Sequence, residues 1–458
     1  MSRMISLLPR HQPTDPVAYI DGLPITARQL AADAHQLAAR LPAHGQMLNT
    51  CTDRYWFLVG LTAAMLRGQL SVLPHNHVPD TLALLKQEFS GLYCLSGPAL
   101  SVADVPAVHL DQQHAETDDS ESSDPATLVF DESQPCACLF TSGSTGQPIA
   151  YQRTWGVVTD SAVSAADRLG LLGTDGQGKR AANVLATVPA QHSYGFESSV
   201  FLALVCGGAL CAERPFYPAD IAYHLSQLPR PSILVTTPVH LRALLGARVQ
   251  LPPTDMIMSA TSLLPRELAA EAEQRFEAPL QEIYGATESG QTASREPVRE
   301  EQWTPLPGVT ISQTDGQAMA SGGHTGASVR LSDYLDIQSD GRFRLIGRTA
   351  DSVNVAGKRS SIVHLTSQLL SIEGVSDGVF LLADSQDDLI RLAAFFVSDS
   401  LSRAEVLDQL KPLIEPAFLP RPLIQLESIP RDGTGKATRQ RLLDLLAVHG
   451  GAHRSEQT

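Results

Sequence analysis

From about residue 136 onward the sequence alternates short apolar runs with helix-period patterns, and no other feature constrains the fold as strongly. The runs 136–140, 232–236, 256–260 and 281–284 have strand length and are bounded by turn residues. Helical patterns begin near Pro238 and Pro265, where proline's fixed φ suits a first turn. Strands separated by helices pack into a sheet covered on its faces, with function carried on loops at the strand ends. The predicted fold class is therefore α/β. Near Gly347-Arg348 the texture changes to a short strand at 392–397, helices near 402–412 and 438–447, and frequent turns. This predicts a large N-terminal α/β domain over 1–346 and a small, mobile C-terminal α+β domain over 347–458, both of ordinary domain type.

Charge and patterning exclude several classes. A formal net charge of -15 over 458 residues argues against a nucleic-acid binder, which needs a basic footprint for phosphate. The apolar stretch at 4–8 is broken by Pro9-Arg10 and is too short for a signal-peptide core. The longest apolar stretch, 55–66, contains Thr62 between Arg54 and Arg67, which suits a buried helix and is too short for a membrane span. A cytoplasmic location is expected. The acidic segment 116–124 reads as a surface loop. The six cysteines form no Cys-x-x-Cys pair, and Cys136 and Cys138 alternate on a strand so as to face one side as small apolar fillers. His75-Asn76-His77 follows Pro74 without acidic or thiol neighbours and reads as a solvated turn.

The strongest local signal is Phe140-Thr141-Ser142-Gly143-Ser144-Thr145-Gly146-Gln147-Pro148. Its glycines allow a tight bend, its hydroxyls and freed N–H groups can ring an anion, and the preceding strand fixes it at a sheet edge. It is a phosphate cradle by chemistry, although no Gly-Lys-Ser/Thr follows at Walker A spacing. A hydroxyl-rich turn without ligand is the competing reading of this segment alone.

Further motifs follow in order. Pro189-Ala190-Gln191-His192-Ser193-Tyr194-Gly195-Phe196, Tyr284-Gly285-Ala286-Thr287-Glu288, Leu331-Ser332-Asp333, Gly347-Arg348-Thr349-Ala350-Asp351 with Gly357-Lys358-Arg359, and Pro430-Arg431-Asp432-Gly433-Thr434-Gly435-Lys436-Ala437-Thr438-Arg439 stand along the chain. Taken singly, Lys436 reads as a solvated side chain, His192 as a loop or core histidine, and Glu288 as a helix-start carboxylate. Together and in this order the motifs resemble the AMP-binding, acyl-adenylate-forming superfamily of acyl-CoA synthetases, aryl-acid ligases and peptide-synthetase adenylation domains.

The resemblance implies roles. Thr141, Ser142, Gly143, Ser144, Thr145 and Gly146 would hold nucleotide phosphates, with Gly285 and Thr287 beside them, and Glu288 would bind Mg2+ as a hard oxygen ligand. Asp333 would accept hydrogen bonds from the ribose, Arg348 would contact ribose or phosphate, and Lys436 would serve adenylation. His192 would stand where a thiol attacks. Tyr194, Phe196, Val239 and Ala286 are the expected acyl-pocket lining. The implied reaction joins a carboxylic acid to AMP from ATP, releases pyrophosphate, and passes the acyl group to a phosphopantetheine thiol of CoA or a carrier protein after a C-terminal rotation.

Two departures stand out. Ile149-Ala150 replaces the Lys-Gly that usually ends the phosphate loop, with Arg153 as a nearby cation, and Ala350 replaces the first hinge aspartate or lysine. The segment 139–155, ending Tyr151-Gln152-Arg153-Thr154-Trp155, resembles hydroxybenzoate:acyl carrier protein ligases of the xanthomonadin and aryl-polyene type. The strip 421–441 holds Arg421, Arg431, Lys436, Arg439 and Arg441 against Glu427 and Asp432, a basic surface that would steer an acidic carrier protein unless it only anchors the Lys436 loop. A CoA-using synthetase, a luciferase-like oxidative enzyme, an adenylating enzyme with a non-thiol acceptor, and a non-catalytic nucleotide-binding homologue remain open alternatives.

Overall fold

Two large sheets dominate the N-terminal part of the chain. In the computed structural model the described residues are 2–74, 76–97, 105–117, 121–141, 149–172, 182–262, 264–314, 317–348, 352–355, 358–383, 391–431 and 437–450. The nine-stranded sheet runs Thr304–Pro305, Gly290–Arg295, Leu280–Ala286, Met256–Ser259, Ser232–Thr236, Asn183–Ala186, Leu210–Cys211, Pro16–Ile20, Leu23–Thr26. Its centre is parallel and its margins are antiparallel. Central strands such as Ser232–Thr236 are buried along their whole length, which is why they read as unbroken apolar runs rather than alternating ones. The six-stranded sheet runs Ile149–Thr154, Pro135–Thr141, Ser71–Leu73, Met47–Asn49, Tyr93–Ser96, Ala107–His109.

Helices Arg54–Leu66 and Trp155–Arg168 each touch strands of both large sheets. Burial from every side explains why Arg54–Leu66 is apolar all round rather than on one stripe. The expected buried helix at 55–66 is therefore present. Asp53 caps it, its side chain accepting from the Trp56 N–H at 2.9 Å.

The C-terminal part is α+β. Strands Asp377–Ala383, Arg391–Val397 and Leu423–Gln425 form one sheet. Along the middle strand the side chains alternate, Ala394 and Phe396 entering one apolar cluster and Ala393 and Phe395 the other. Helix Arg403–Leu410 opens on a capping box between Ser402 and Glu405. Strand Phe343–Arg348 pairs with Asp333–Ile337 and runs up to the expected hinge.

One expectation fails. Cys136 and Cys138 are both buried, but Cys136 packs in the main core and Cys138 in the smaller cluster with Leu82 and Phe140. The register between the Pro135–Thr141 and Ile149–Thr154 strands slips beside Cys136, and this bulge removes it from the alternation. In the acidic segment, Glu121–Ser123 forms a short 3-10 turn rather than open loop. Asn76 and His77 lie in a loop as expected, with Asn76 accepting from Thr81 Oγ1 at 2.8 Å, and His75 is outside the described residues.

Candidate active site

Two of the sequence motifs and the expected pocket residue Val239 leave the same edge of the nine-stranded sheet. His192 follows strand Asn183–Ala186, Val239 follows Ser232–Thr236, and Gly285 to Glu288 end Leu280–Ala286, and these strands belong to one parallel run. The carboxyl edge of a parallel sheet is where open α/β folds hold ligands.

The Leu280–Ala286 strand turns at 287–289 and returns as Gly290–Arg295. A side chain at Gly285 would bring its Cβ within 2.3 Å of the Gly290 carbonyl oxygen, so only glycine lets the hairpin close. Glu288 therefore sits in a hairpin turn and not at a helix start. Ala286, Thr287 and Glu288 are half-buried, with Tyr284 and Ser289 buried behind them, so the turn presents hydroxyl and carboxylate oxygens outward from a rigid base. Tyr284 packs against Trp303 and Phe343 and donates its hydroxyl to Asp333 Oδ2 at 2.7 Å. That bond brings the Asp333 motif to the Gly285 turn across 49 residues of sequence.

Strands Pro135–Thr141 and Ile149–Thr154 bracket the phosphate-cradle segment. Ser142, Gly143, Ser144, Thr145 and Gly146 lie outside the described residues, as do Lys436 and the side chains of Thr141 and Arg348. Ile149 is exposed beside that segment. Arg153 donates to the Thr287 carbonyl, which ties the hairpin to the turn carrying Glu288.

His192 is the N-cap of the helix at 193–195, its Nδ1 accepting from the Tyr194 N–H at 3.3 Å. Accepting at Nδ1 leaves Nε2 to carry the proton of the neutral ring. Tyr194 and Phe196 are both buried. Phe196 packs edge-on against Phe57 and Phe201, and burial pushes the Tyr194 phenol well up. Val239 stays half-buried in the first turn of Pro238–Gly246.

Motif reading missed the groups that hold this region in place. Arg54 is fully buried and donates to the carbonyls of Ala186 at 2.6 Å, Val188 at 2.5 Å and Glu213 at 2.6 Å, and to Ser199 Oγ at 3.2 Å. Burial pushes its guanidinium down to about 10. Glu197 is buried in a π-helical segment, Phe196–Phe201, directly after the His192 motif. π-helical turns recur at functional positions. An isolated arginine at a helix start and an isolated glutamate in an apolar run carry no motif, and only a count of buried charges could have flagged them.

The basic strip is partly spent on its own domain. Arg431 bonds Asp377 at 2.7 Å, Arg441 donates to the Arg431 carbonyl at 3.1 Å, and Arg439 to the Leu382 carbonyl at 3.3 Å, while Arg421, Arg439 and Arg441 remain exposed. Arg242 of helix Pro238–Gly246 also comes within 3.9 Å of Asp377.

Comparison with known proteins identifies the family and the fold. The model of the AMP-binding enzyme family matches residues 93–324, and the chain belongs to that family of adenylate-forming acid–thiol ligases. It is 24% identical to the 3-hydroxybenzoate–CoA/4-hydroxybenzoate–CoA ligase of Thauera aromatica, over 92% of each chain. It is 28% identical to a 4-coumarate–CoA ligase of Halorhodospira halophila, over 60% of this chain and 66% of that relative. Among solved structures, the o-succinylbenzoate coenzyme A synthetase of Bacillus subtilis, determined with ATP and magnesium ion, superposes with a TM-score of 0.79 at 19% identity, covering 97% of this chain and 100% of that one. The likeness fixes the fold as that of these adenylating enzymes, with a large N-terminal and a small C-terminal domain. No helix among the described residues is long and apolar enough to cross a membrane.

Proposed function

We propose that this enzyme activates a hydroxybenzoate-like aryl acid as its acyl-AMP and transfers the acyl group to the phosphopantetheine thiol of an acyl carrier protein. The carrying observation is that His192 and the Gly285 to Glu288 turn follow parallel strands at one sheet edge, with Asp333 held to the turn's strand by the Tyr284 bond. The hydroxybenzoate ligase likeness along 92% of the chain supports an aryl acid.

In the first half-reaction an oxygen of the substrate carboxylate forms a bond to the α-phosphorus of ATP, and pyrophosphate leaves. Asp333 orients the ribose, the 141–146 hydroxyls and N–H groups hold the phosphates, and Lys436 offsets the charge that develops on them. The half-buried Glu288 and its hard oxygen donors fit Mg2+, which neutralises triphosphate charge when bound. In the second half-reaction the thiol sulfur bonds the acyl carbon beside His192, loses its proton, and AMP departs. Movement of the 347–458 domain about the Gly347-Arg348 region would withdraw Lys436 between the two.

Exposed Arg421, Arg439 and Arg441 support a carrier-protein acceptor by charge. Free CoA is the second reading, favoured by the internal bonds of Arg431, Arg439 and Arg441 and by relatives named as CoA ligases. A hydroxamate-trapping screen of aryl, short-chain and long-chain acids tests the first step. Mass measurement of holo carrier protein and of CoA after reaction tests the second. A long-chain preference overturns the substrate reading, and acyl-CoA formed faster than acyl carrier protein overturns the acceptor.

A further inference from the structure

Behind the Gly285 to Glu288 turn lies a small cavity lined by Leu139, Arg153, Ser161, Phe196, Glu197 and His324, with Gly290 at its wall. Most of its lining surface is apolar, Val157 and Val158 included, and buried ionisable groups stand among it. Glu197 and His324 are 4% and 5% exposed. Buried polar atoms are nearly always paired, so an unmet one marks a group awaiting a partner.

The hydrogen bonds fix what that partner must be. Glu197 accepts from Ser161 Oγ at 2.7 Å, from the Gln291 N–H at 3.2 Å and from Ser193 Oγ at 3.3 Å. A carboxylate offers about four acceptor positions, which leaves one. His324 Nε2 lies 2.7 Å from the Gln291 carbonyl oxygen, which can only accept, so the ring proton is on Nε2. Burial lowers the pKa of this imidazole against the opposing Glu197 carboxylate, which favours the neutral ring. His324 Nδ1 is therefore a lone-pair acceptor, and it has no partner among the described residues. Arg153 in the same lining donates to the Thr287 carbonyl, and two acceptors facing one space call for a further donor. The space has room for about one water-sized group. Gly290, with φ at +71°, keeps it open, because a Cβ there would stand 3.4 Å from Glu197 Oε2.

The cavity is lined by residues from the elements that carry the candidate site. Phe196 lies four residues beyond His192, Gly290 closes the turn that carries Thr287 and Glu288, and Arg153 reaches the Thr287 carbonyl. We propose that this cavity is the distal end of the acyl pocket, and that Glu197 and His324 recognise a hydrogen-bond-donating ring substituent, a phenolic hydroxyl or an amine, on the aryl acid. This inference rests on the aryl-acid reading above.

The test is ATP–pyrophosphate exchange with benzoate, the hydroxybenzoate and aminobenzoate isomers, and their methoxy and N,N-dimethylamino analogues, in the full chain. A site built to pair a substrate donor rejects the analogue lacking it strongly, so the preferred hydroxy or amino acid should exceed benzoate in kcat/KM by about 10²-fold or more, with its methylated analogue as poor as benzoate. The hydroxy and amino arms decide which donor is read. In Glu197→Gln, and independently in His324→Asn should the first fail to fold, that ratio should fall by about tenfold or more. Benzoate exchanging within about threefold of every substituted acid, or a ratio unmoved in both folded variants, overturns the inference while leaving aryl activation intact. Exchange with aliphatic acids and with no aryl acid overturns the aryl-acid reading itself.

Discussion

Arg54→Met isolates the residue that holds the His192 segment in place. Methionine fills comparable length but donates nothing, so the Ala186, Val188 and Glu213 carbonyls lose a buried partner at once. At about 2 kcal/mol per unpaired buried acceptor the loss is about 6 kcal/mol. Against this, the buried guanidinium carries a desolvation cost. Its pKa, pushed down to about 10, corresponds to about 3 kcal/mol that the substitution returns. The expected net loss is about 3 kcal/mol, within the range for breaking a buried charged network. Urea unfolding of wild type and variant measures it from the shift in midpoint at constant slope. Val188 directly precedes the Pro189 to His192 segment, so thioester formation should fall more than ATP–pyrophosphate exchange in the folded variant. A stability loss below about 1 kcal/mol, with both half-reactions equally affected, would refute the reasoning.

Three further outcomes follow from the site. Lys436→Ala should lower ATP–pyrophosphate exchange by about 10²-fold or more while transfer from preformed acyl-AMP persists; near-normal exchange rules out its assigned role. Glu288→Gln keeps the shape of the hairpin turn, so the fold should survive by circular dichroism while the magnesium titration of activity weakens; an unchanged titration removes the metal role. Burial pushes the Asp53 carboxyl up to about 6, so the folded state holds a proton that the unfolded chain releases near pH 4; this contribution is full below about pH 4 and lost as pH rises through about 6. Asp53→Asn keeps a capping oxygen without that titration and should gain about 1–2 kcal/mol on wild type between pH 4.5 and 8, read from melting temperatures across pH; parallel pH profiles would contradict it.

Sequence periodicity found the parallel core because those strands are buried on both faces. The 232–236 expectation coincides with Ser232–Thr236, and 281–284 falls within Leu280–Ala286. Local pattern fails where a neighbour overrides it. Nothing in the residues around Cys136 announces the register slip against Arg153 and Thr154, which arises from the partner strand. Glu288 follows an apolar run in the manner of a helix-start carboxylate, but the chain reverses there as a hairpin, which glycine at 285 permits because a Cβ at that position would stand 2.3 Å from the Gly290 carbonyl oxygen.

The same distinction divides the site. Its motif residues are legible because nucleotide chemistry requires particular donors at short spacing: glycine where backbone must approach, carboxylate for a hard cation, hydroxyls for phosphate. The proposed acyl pocket has no such local grammar. Tyr194 and Phe196 of the expected lining are buried, and beside Phe196 one cavity holds the carboxylate of Glu197 and the imidazole of His324, 127 positions apart by their numbers. Each alone is an unremarkable residue in an apolar stretch. Their meaning comes from the π-helical turn that carries Glu197 and the Gln291 backbone that bonds both, its N–H donating to Glu197 and its carbonyl accepting from His324. Reaction class is thus written in contiguous motifs, whereas substrate choice depends on tertiary pairs that only the folded chain assembles.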